Sequence, residues 1–520
     1  MIEPLVTIVI SARESHWPAE QSLQTVLADD AAPFALIYLD MLSPPAVAQM
    51  IQGYAQAHNF KVIRHDQWIA PATARKLALG QVKTRYVAFV DNDVLVERGC
   101  LERLVACAEE TGAAVVGPLY LQAGADHPVT IHMAGGELAW TGEGDRALIS
   151  EGHRLLGESI EQAAALTREP VDFLEYHYCL ARTDLLKRPG ALSDDILLVH
   201  EHIDLALFAR EQGLSVWMEP AARVTYLAFR PQRLQDLAFY RRRWDFEACE
   251  DSLRAFGRRW PVADESGMYD PVRQFVRGRL AAVEFAREGP VSVDLAQPMT
   301  PAELAQTRCA LREQAIARDY AELAVQALEA ACDFATLIFD GMYRPDGRPF
   351  LNHAIGTASA LIRYELRSDI VVAGLLHAAY THRPDWMAQD EVSRVLTSGG
   401  VERLVREQSD SRVHTAAGNA APERLTVHET EGLCIRAANE ADMRLSGEYR
   451  ATGRAVEFTE TGLALVAGAL AYIGRDGLAA TAAHPIGVGA QDHLFGFRPV
   501  HGSFRLDAKN RRLDWVRTRA

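Results

Sequence analysis

The chain has 520 residues, of which 48% are hydrophobic and 24% are charged, and its formal net charge at pH 7 is −15. One hydrophobic core stops growing near about 250–300 residues, so we expect two domains. General electrostatic binding to nucleic acid depends on Lys and Arg neutralising phosphates, and the acidic balance of this chain argues against it. The composition is that of an ordinary globular protein.

Cysteine usage and apolar runs bear on the compartment. The seven cysteines are scattered and never spaced as CxxC, which disfavours a disulfide framework or a zinc knuckle and favours reducing cytoplasm. The apolar stretch from Leu5 to Ile10 is too short for a signal peptide core or a membrane span, and no other run approaches the roughly 18 apolar residues that a spanning helix needs. We therefore expect a cytoplasmic protein without a transmembrane segment.

The first part of the chain alternates short apolar runs with longer amphipathic stretches, which is typical of βαβ units and predicts a mainly parallel sheet flanked by helices. The predicted strands are Leu5–Ile10, Ala35–Leu39, Lys61–Arg64, Tyr86–Val90 and Ala114–Leu119. The predicted helices are Pro18–Ala28, Pro44–Ala57, Ala72–Gly80 and Gly99–Glu110. Three of these helices begin at or next to a Pro, which suits a first helical turn.

A stretch with three prolines and no helical periodicity separates this part from an almost wholly helical one. The helical stretches predicted there are 302–339, 351–365, 369–379, 391–408 and 430–445. We therefore predict an α/β domain over 1–287, a linker over 288–301 and an all-α domain over 302–473. The segment 474–520 mixes Gly, His, Pro and aromatic residues without a clear period, and we predict it to be irregular.

The triplet Asp91-Asn92-Asp93 directly follows the predicted strand that ends at Val90. Two carboxylates then lie at the carboxyl end of a strand, where open α/β sheets bind ligands. Carboxylate oxygens suit hard cations such as Mg²⁺ or Mn²⁺, which proteins commonly hold together with substrate phosphates. Turn chemistry after a strand is the alternative reading of the same residues.

Several landmarks in order resemble the family 2 glycosyltransferases, which have an A-type nucleotide-diphospho-sugar transferase fold, over roughly residues 4–260. They are the opening strand Val6–Ser11, the strand Ile37–Asp40, the helix start Ala72–Lys76, the acidic strand Tyr86–Asp93, the acceptor-side strand Val171–Arg182 and the segment His200–Leu205. The resemblance implies that Asp91 and Asp93 hold a metal. It also implies that Asp40 contacts the nucleotide base and that Arg75 lies on the donor side.

The segment His200–Leu205 resembles the EDxDL segment that carries the general base of the family, but His202 stands where the family has its usual Asp. Glu201, His202 and Asp204 are the candidate bases, since each can accept a proton from an acceptor hydroxyl. Glu201 is our first choice and Asp204 the second. The alternative is that all three only favour the start of a helix.

The element Tyr240-Arg241-Arg242-Arg243-Trp244 resembles the QxxRW element of processive members, with Tyr240 in place of Gln. Because three adjacent arginines on a helix point in different directions, at most two can face one pyrophosphate. We predict that Arg243 and Trp244 lie in the donor site, and simple surface charge is the alternative. Thr225-Tyr226-Leu227 stands where the family often has a His, which leaves a third metal ligand unassigned.

The resemblance implies a metal-dependent, inverting hexosyltransferase that uses Mn²⁺ or Mg²⁺. Its donor would be a nucleoside-diphosphate sugar and its acceptor a hydroxyl of a glycan, lipid or protein. One alternative is a nucleotidyltransferase, although the Gly- and Arg-rich opening loop of those enzymes is absent, and Ser11-Ala12-Arg13-Glu14 does not replace it. Another alternative is a nucleotide-sugar-binding or regulatory protein without turnover.

In the helical part the segment Phe339–His353 joins two predicted helices, and Leu375-Leu376-His377-Ala378 follows on the next apolar stretch. These motifs resemble an HD domain, similar to the hydrolase half of the bacterial alarmone enzymes. The resemblance implies metal ligands at His353, His377 and Asp442. Because Ala378 replaces the Asp of the His-Asp pair, we expect weak metal binding, with a phosphohydrolase as the alternative.

Overall fold

A computed structural model of the chain describes residues 3–29, 31–123, 128–142, 148–227, 233–260, 262, 269–281, 283, 295–382, 399–408, 421–452, 460–483, 502–507 and 512–517. The chain forms two compact units, Met1–Val283 and Glu284–Ala520. We call them the N-terminal and the C-terminal unit. Among the helices that the structure describes, none has an 18-residue stretch apolar enough to cross a lipid bilayer.

The N-terminal unit is built on a sheet of ten described strands, in the order β10-β12-β6-β11-β4-β1-β2-β3, with β5 beside β12 and β7 beside β6. A separate hairpin joins β8 and β9. The strands are β1 Val6–Ser11, β2 Phe34–Met41, β3 Lys61–His65, β4 Tyr86–Asp91, β5 Val94–Val96, β6 Val115–Ala123, β7 Thr130–Met133, β8 Gly136–Thr141, β9 Leu148–His153, β10 Glu169–Pro170, β11 Tyr178–Arg182 and β12 Val216–Leu227.

The α-helices of this unit are α1 Ala19–Ala28, α2 Pro45–His58, α3 Pro71–Leu79, α4 Cys100–Thr111, α5 Thr183–Leu186, α6 Glu201–Glu211, α7 Leu237–Arg243, α8 Phe246–Arg259 and α9 Tyr269–Ala281. Proline stands at the first turn of α2 and α3, as predicted. Every residue of β1 and β4 is buried, because both strands lie inside the sheet and are covered on both faces.

Strand direction differs from the prediction of a mainly parallel sheet. β1, β2, β3 and β4 pair in parallel, and so do β6 and β12. However, β11 inserts between β4 and β6 and runs antiparallel to both. The sheet is therefore mixed. The sequence did not reveal this because the direction of a strand depends on the path of the chain before it, here the excursion through β7 to β10.

The register of the central strands brings distant segments together. Ser11 pairs with Asp91 between β1 and β4, and Ser11 pairs with Leu39 between β1 and β2. On the other side of β4, Tyr178 of β11 pairs with Val90. The carboxyl ends of β1, β2 and β4 therefore meet the amino end of β11 at one edge of the sheet.

The C-terminal unit is mostly helical. Its described α-helices are Arg308–Ala317, Glu322–Phe339, Phe350–Arg363, Ser368–Leu375, Ala379–His382, Gly399–Gln408, Val427–Leu445, Glu448–Thr452, Glu460–Tyr472 and Asp476–Ala482. The helix Val427–Leu445 begins with a capping box, in which Thr426 and Glu429 satisfy each other's backbone N–H groups.

Two stretches of this unit differ from the sequence prediction. The predicted helix over 302–339 is interrupted, because Asp319 adopts φ 53° and the Tyr320 N–H donates to the Ala315 carbonyl, which ends the first helix. The segment 474–520, predicted as irregular, contains the helix Asp476–Ala482 and a hairpin of Gly502–Asp507 with Arg512–Arg517. Of the predicted helix 391–408, residues 391–398 lie outside the described part.

Candidate active site

The middle residue of the acidic triplet holds the site together. The Asn92 side chain accepts a hydrogen bond from the Arg13 backbone N–H (3.2 Å) and donates one to the Ser15 carbonyl (2.8 Å). The Asn92 backbone N–H donates to the Ser11 carbonyl at 2.9 Å. These bonds fasten the loop after β1 to the loop after β4, so Arg13 and Glu14 lie against the two aspartates.

Asp91 is fully paired with basic groups. Its carboxylate accepts from Arg13 at 3.2 Å and from Arg75 at 3.3 Å, and it lies 3.3 Å from Nδ1 of His177. Burial alone would raise the pKa of Asp91, but the His177 hydrogen bond and the two arginine charges lower it to about 2. Asp91 is therefore ionised across the physiological range.

Asp93 has the opposite surroundings. It is 2% exposed, and its Oδ1 has no hydrogen-bond partner among the described residues. Burial, and then the nearby charges of Asp91 and Glu14, raise the pKa of Asp93 well above its usual range. A buried carboxylate oxygen without a partner is costly, and a cation beside it would remove that cost.

His177 lies where a third metal ligand, which the sequence left unassigned, could stand. Oxygens of Asp91 and Asp93 and a ring nitrogen of His177 all lie within 4.8 Å of one another, which suits a shared cation. The ring of His177 stacks on Tyr226 at 4.0 Å between centroids, and burial followed by the charge of Arg13 lowers its pKa. A neutral imidazole is the form that binds metal, so the residues present fit a divalent cation.

Three further residues lie together near the aspartates: Glu14 and Tyr226, which the sequence analysis named without a role, and Arg279, which it missed. Tyr226 donates to Glu14 at 3.0 Å, Arg279 donates to the Tyr226 hydroxyl at 3.1 Å, and Arg279 lies 3.6 Å from Glu14. The motif around Arg13 and Glu14, which the sequence analysis set aside, thus contacts the acidic site. No local pattern could have identified Arg279, because it comes from a helix far along the chain.

The structure places Arg243 and Trp244 near Glu14 and Arg279. Both are buried, at 3% and 2% exposure, whereas Arg241 and Arg242 are exposed. The Arg243 guanidinium lies 4.2 Å from the Trp244 ring centroid, and its Nε and Nη1 have no hydrogen-bond partner among the described residues. Burial alone would raise the pKa of Glu14, but the charges of Arg279, Arg13 and, after them, Arg243 lower it.

Asp40 lies at the carboxyl end of β2 and is completely buried. Its Oδ2 accepts from Arg64 at 2.5 Å and its Oδ1 accepts from the Ser43 N–H at 3.3 Å. Arg64 is partly exposed, with 37% of its side chain accessible. The structure thus places an Asp40–Arg64 pair, rather than a free carboxylate, at this end of the strand.

Two of the three candidate bases are held by other groups. Glu201 accepts from Arg75 at 3.4 Å. Asp204 is 1% exposed and accepts from Arg259 at 3.0 Å and from the Trp260 indole at 2.8 Å. Burial raises the pKa of Asp204 to about 6 in spite of these donors. Asp204 thus fixes α6 against the end of α8.

His202 differs from both. Its side chain is 13% exposed, and its Nε2 has no hydrogen-bond partner in the described structure and lies 3.7 Å from Oε1 of Glu175. Burial alone would raise the pKa of Glu175, but the charges of His202 and Arg13 lower it well below its usual range. The Glu175 carboxylate is therefore ionised, and it faces Nε2 of His202.

Glu175 also lies 3.9 Å from Arg13 and 3.7 Å from His153. Ligand atoms of His132, His153 and Glu175 form a second group within 4.8 Å of one another, and His132 contacts His177 edge to face at 5.3 Å. No sequence motif pointed to these residues, because His132 lies on β7, His153 on β9 and Glu175 in the segment before β11.

The C-terminal unit brings its three predicted residues together. His353 Nδ1 lies 2.6 Å from Asp442 Oδ2, and the His353 and His377 rings are 5.3 Å apart. Arg348 also enters this site and donates to both oxygens of Asp442, at 3.2 and 2.9 Å. The described residues of this unit contain no group of three His, Cys, Asp or Glu ligand atoms within 4.8 Å, so they do not fit a metal ion.

Comparisons with known proteins find a different family in each of the two units. Residues 7–144 match the model of Glycosyl transferase family 2, and residues 331–430 match that of an HD domain. Both resemblances predicted from the motifs are thereby confirmed for these segments. The HD match includes His353 and His377 but ends before Asp442.

A search of curated proteins finds no match. Among solved structures, the crystal structure of GalNAc-T7 with UDP, GalNAc and Mn²⁺ is similar at 12% sequence identity and a TM-score of 0.34, over 54% of this chain. The chain covers 59% of the length of that structure.

Proposed function

We propose that the N-terminal unit transfers a sugar from a nucleoside diphosphate to an acceptor hydroxyl with the help of a divalent cation. The observation that carries the proposal is the buried group of Asp91, Asp93 and His177 at the carboxyl edge of the sheet. The two aspartates of this group lie inside the segment 7–144 that matches family 2 glycosyltransferases, and His177 follows that segment. That edge is where open α/β sheets bind their ligands.

Asp91, Asp93 and His177 would hold Mn²⁺ or Mg²⁺, which when bound neutralises negative charge on the diphosphate leaving group. Arg13 and Arg75 keep Asp91 ionised and fixed in position. Asp93 Oδ1, without a partner among the described residues, is the most available protein ligand.

Donor binding would use the buried positive charge beside the acidic loop. Arg243 lies on Trp244, two of its nitrogens have no hydrogen-bond partner in the described part of the chain, and Arg279 lies beside Glu14. Guanidinium groups suit phosphate because they donate in a planar fork. The Asp40–Arg64 pair stays our proposal for the nucleotide-base side of the site.

His202, rather than Glu201 or Asp204, is our choice of general base. Its Nε2 has no hydrogen-bond partner in the described structure, and Glu175 lies 3.7 Å away, where it stabilises the imidazolium that forms when His202 takes the acceptor proton. In-line attack by that hydroxyl would invert the anomeric carbon, as the family resemblance implies.

The direct test is sugar transfer by Asp93→Asn, with donors screened as nucleoside-diphosphate sugars in Mn²⁺ and Mg²⁺. Loss of several kcal/mol of charge stabilisation predicts a fall of about 10³-fold in kcat. The control is Asp184→Asn, which changes an acid that is 54% exposed and ion-paired at the surface of the same unit. Wild-type activity in the Asp93 variant would exclude the proposed metal site.

Binding of the donor to the wild-type protein without any transfer would instead favour the regulatory alternative. Calorimetry with the same sugar nucleotides, run beside the transfer assay, separates the two. A ligand that binds only the folded protein also raises its unfolding temperature, which provides a rapid first screen.

A further inference from the structure

The site that resembles an HD metal centre already contains a cation of its own. Arg348 is 1% exposed and lies among Asp442, Glu448 and Asp346, none of which is more than 2% exposed. Its three guanidinium nitrogens all donate. Nε reaches Asp346 at 3.1 Å, Nη1 reaches Asp442 and Gln306 at 3.2 and 3.3 Å, and Nη2 reaches Asp442 and Glu448 at 2.9 and 3.3 Å.

Asp442 has no acceptor capacity left. Its Oδ1 accepts from Arg348 and from the Gln306 amide at 3.2 Å, and its Oδ2 accepts from Arg348 and from His353. A carboxylate offers about four lone-pair sites, and these four donors use them. Burial alone would raise the pKa of Asp442, but the charge of Arg348 and the His353 hydrogen bond lower it, so the group is ionised.

The two histidines alone cannot replace the missing carboxylates. His377 Nδ1 donates to the Gly374 carbonyl at 2.7 Å, and His353 Nδ1 is engaged by Asp442. Each ring therefore has one nitrogen left, and Ala378 provides no oxygen beside them. Two imidazole nitrogens with no further carboxylate ligand among the described residues do not suit Mn²⁺ or Mg²⁺, which prefer oxygen ligands.

We propose that Arg348 permanently occupies the cation position of this HD-like site, so that the C-terminal unit is a metal-independent fold without metallohydrolase activity. The guanidinium provides the charge that Asp442 and Glu448 require, and Arg344 adds a second pair with Glu448 at 2.6 and 2.9 Å. The inference concerns the C-terminal unit and does not depend on the proposed transferase activity.

The test counts Mn²⁺ on the full-length protein by equilibrium dialysis and electron paramagnetic resonance. We compare the wild type with His353→Gln and with Asp93→Asn. The inference predicts that His353→Gln binds as much Mn²⁺ as the wild type. Loss of bound Mn²⁺ from His353→Gln, but not from Asp93→Asn, would overturn it.

A second measurement follows thermal unfolding in metal-free buffer. Arg348→Met leaves buried carboxylates unpaired and should lower the unfolding temperature by about 6 °C or more. The matched control is Arg312→Met, since Arg312 is 50% exposed in its pair with Glu329 and should change little. An unchanged unfolding temperature in Arg348→Met would contradict the inference.

The double variant Arg348→Met/Ala378→Asp provides the converse experiment. Removing the guanidinium frees Asp442, and the new carboxylate restores the missing ligand type beside His377. This variant should be stabilised by added Mn²⁺, while Ala378→Asp alone, which keeps Arg348, should not be. Equal stabilisation of the two by Mn²⁺ would show that Arg348 does not keep metal out of the site.

Discussion

The two units each bring buried carboxylates and histidines to one point but balance the negative charge differently. In the N-terminal unit, Arg13 and Arg75 pair with Asp91, while Asp93 retains an oxygen without a partner among the described residues. In the C-terminal unit, Arg348 and its neighbours fill every acceptor position of Asp442. A buried carboxylate oxygen without a partner is the kind of group that a ligand or a reaction uses, which supports the metal site proposed at Asp93. At the C-terminal site the Asp442 carboxylate is fully paired, and the atom without a hydrogen-bond partner among the described residues is a ring nitrogen, Nε2 of His353.

Changing His202 tests the proposed general base of the N-terminal site and should have the largest effect on activity. His202→Gln is expected to lower kcat for transfer by about 10²–10⁴-fold, the range of general-base catalysis, with little change in donor affinity. Glu175→Gln should also lower kcat and should alter the acidic limb of the pH profile, because it removes the partner of the imidazolium.

The controls for this prediction are Glu201→Gln and Asp204→Asn. Both residues are engaged by arginines in the structure, and their variants should retain more activity than His202→Gln. If Glu201→Gln lost more activity than His202→Gln, Glu201 would be the general base, as the sequence analysis preferred.

Adding one carbon at Gly356 tests the saturated site of the C-terminal unit. A Cβ at this position would overlap Oδ1 of Asp442 and approach Gln306 at 2.9 Å, so Gly356→Ala should displace the Arg348–Asp442 pair. We expect a loss of about 3 kcal/mol in the free energy of unfolding, measured by denaturant titration with a probe in this unit.

Gly53→Ala is the matched control. Gly53 lies inside the helix α2, and a Cβ there would meet nothing within 4 Å. This change should stabilise the N-terminal unit by about 0.5–1 kcal/mol, because alanine loses less backbone entropy in a helix than glycine. Equal effects of the two substitutions would mean that the Asp442 site is not tightly packed.

A change of similar size, this time dependent on pH, is expected at another buried carboxyl of the N-terminal unit, Asp236. It is completely buried, its Oδ1 accepts from the His16 N–H at 2.9 Å, and burial raises its pKa to about 7. The folded protein therefore binds a proton between about pH 4 and pH 7 that the unfolded chain releases, and stability falls as pH rises through that window.

Asp236→Asn keeps the acceptor for His16 but has no proton to lose. It should match the wild type near pH 4 and exceed it above pH 7 by about 2–4 kcal/mol, measured as the free energy of unfolding at both pH values. A constant difference between wild type and variant across this range would show that Asp236 does not titrate in the window.

The sequence identified local features well. The strands and helices around the acidic triplet are where the apolar periodicity predicted them, since alternation of buried runs and amphipathic stretches is a property of consecutive residues. The helical character of the second half and the order of His353, His377 and Asp442 also followed from local motifs. The preference for Glu201 as base rested on the same local patterns, which do not show that Arg75 donates to Glu201 in the folded protein.

What the sequence by itself determined, therefore, was the class of each half and the position of Asp91 and Asp93 at the end of a strand. The tertiary structure decided which groups surround them. His177 reaches Asp91 because β11 runs antiparallel beside β4, and Arg348 reaches Asp442 although 94 positions separate them in the chain. Charge balance at a buried site is a sum over neighbours in space, and those neighbours come from segments whose meeting no local pattern specifies.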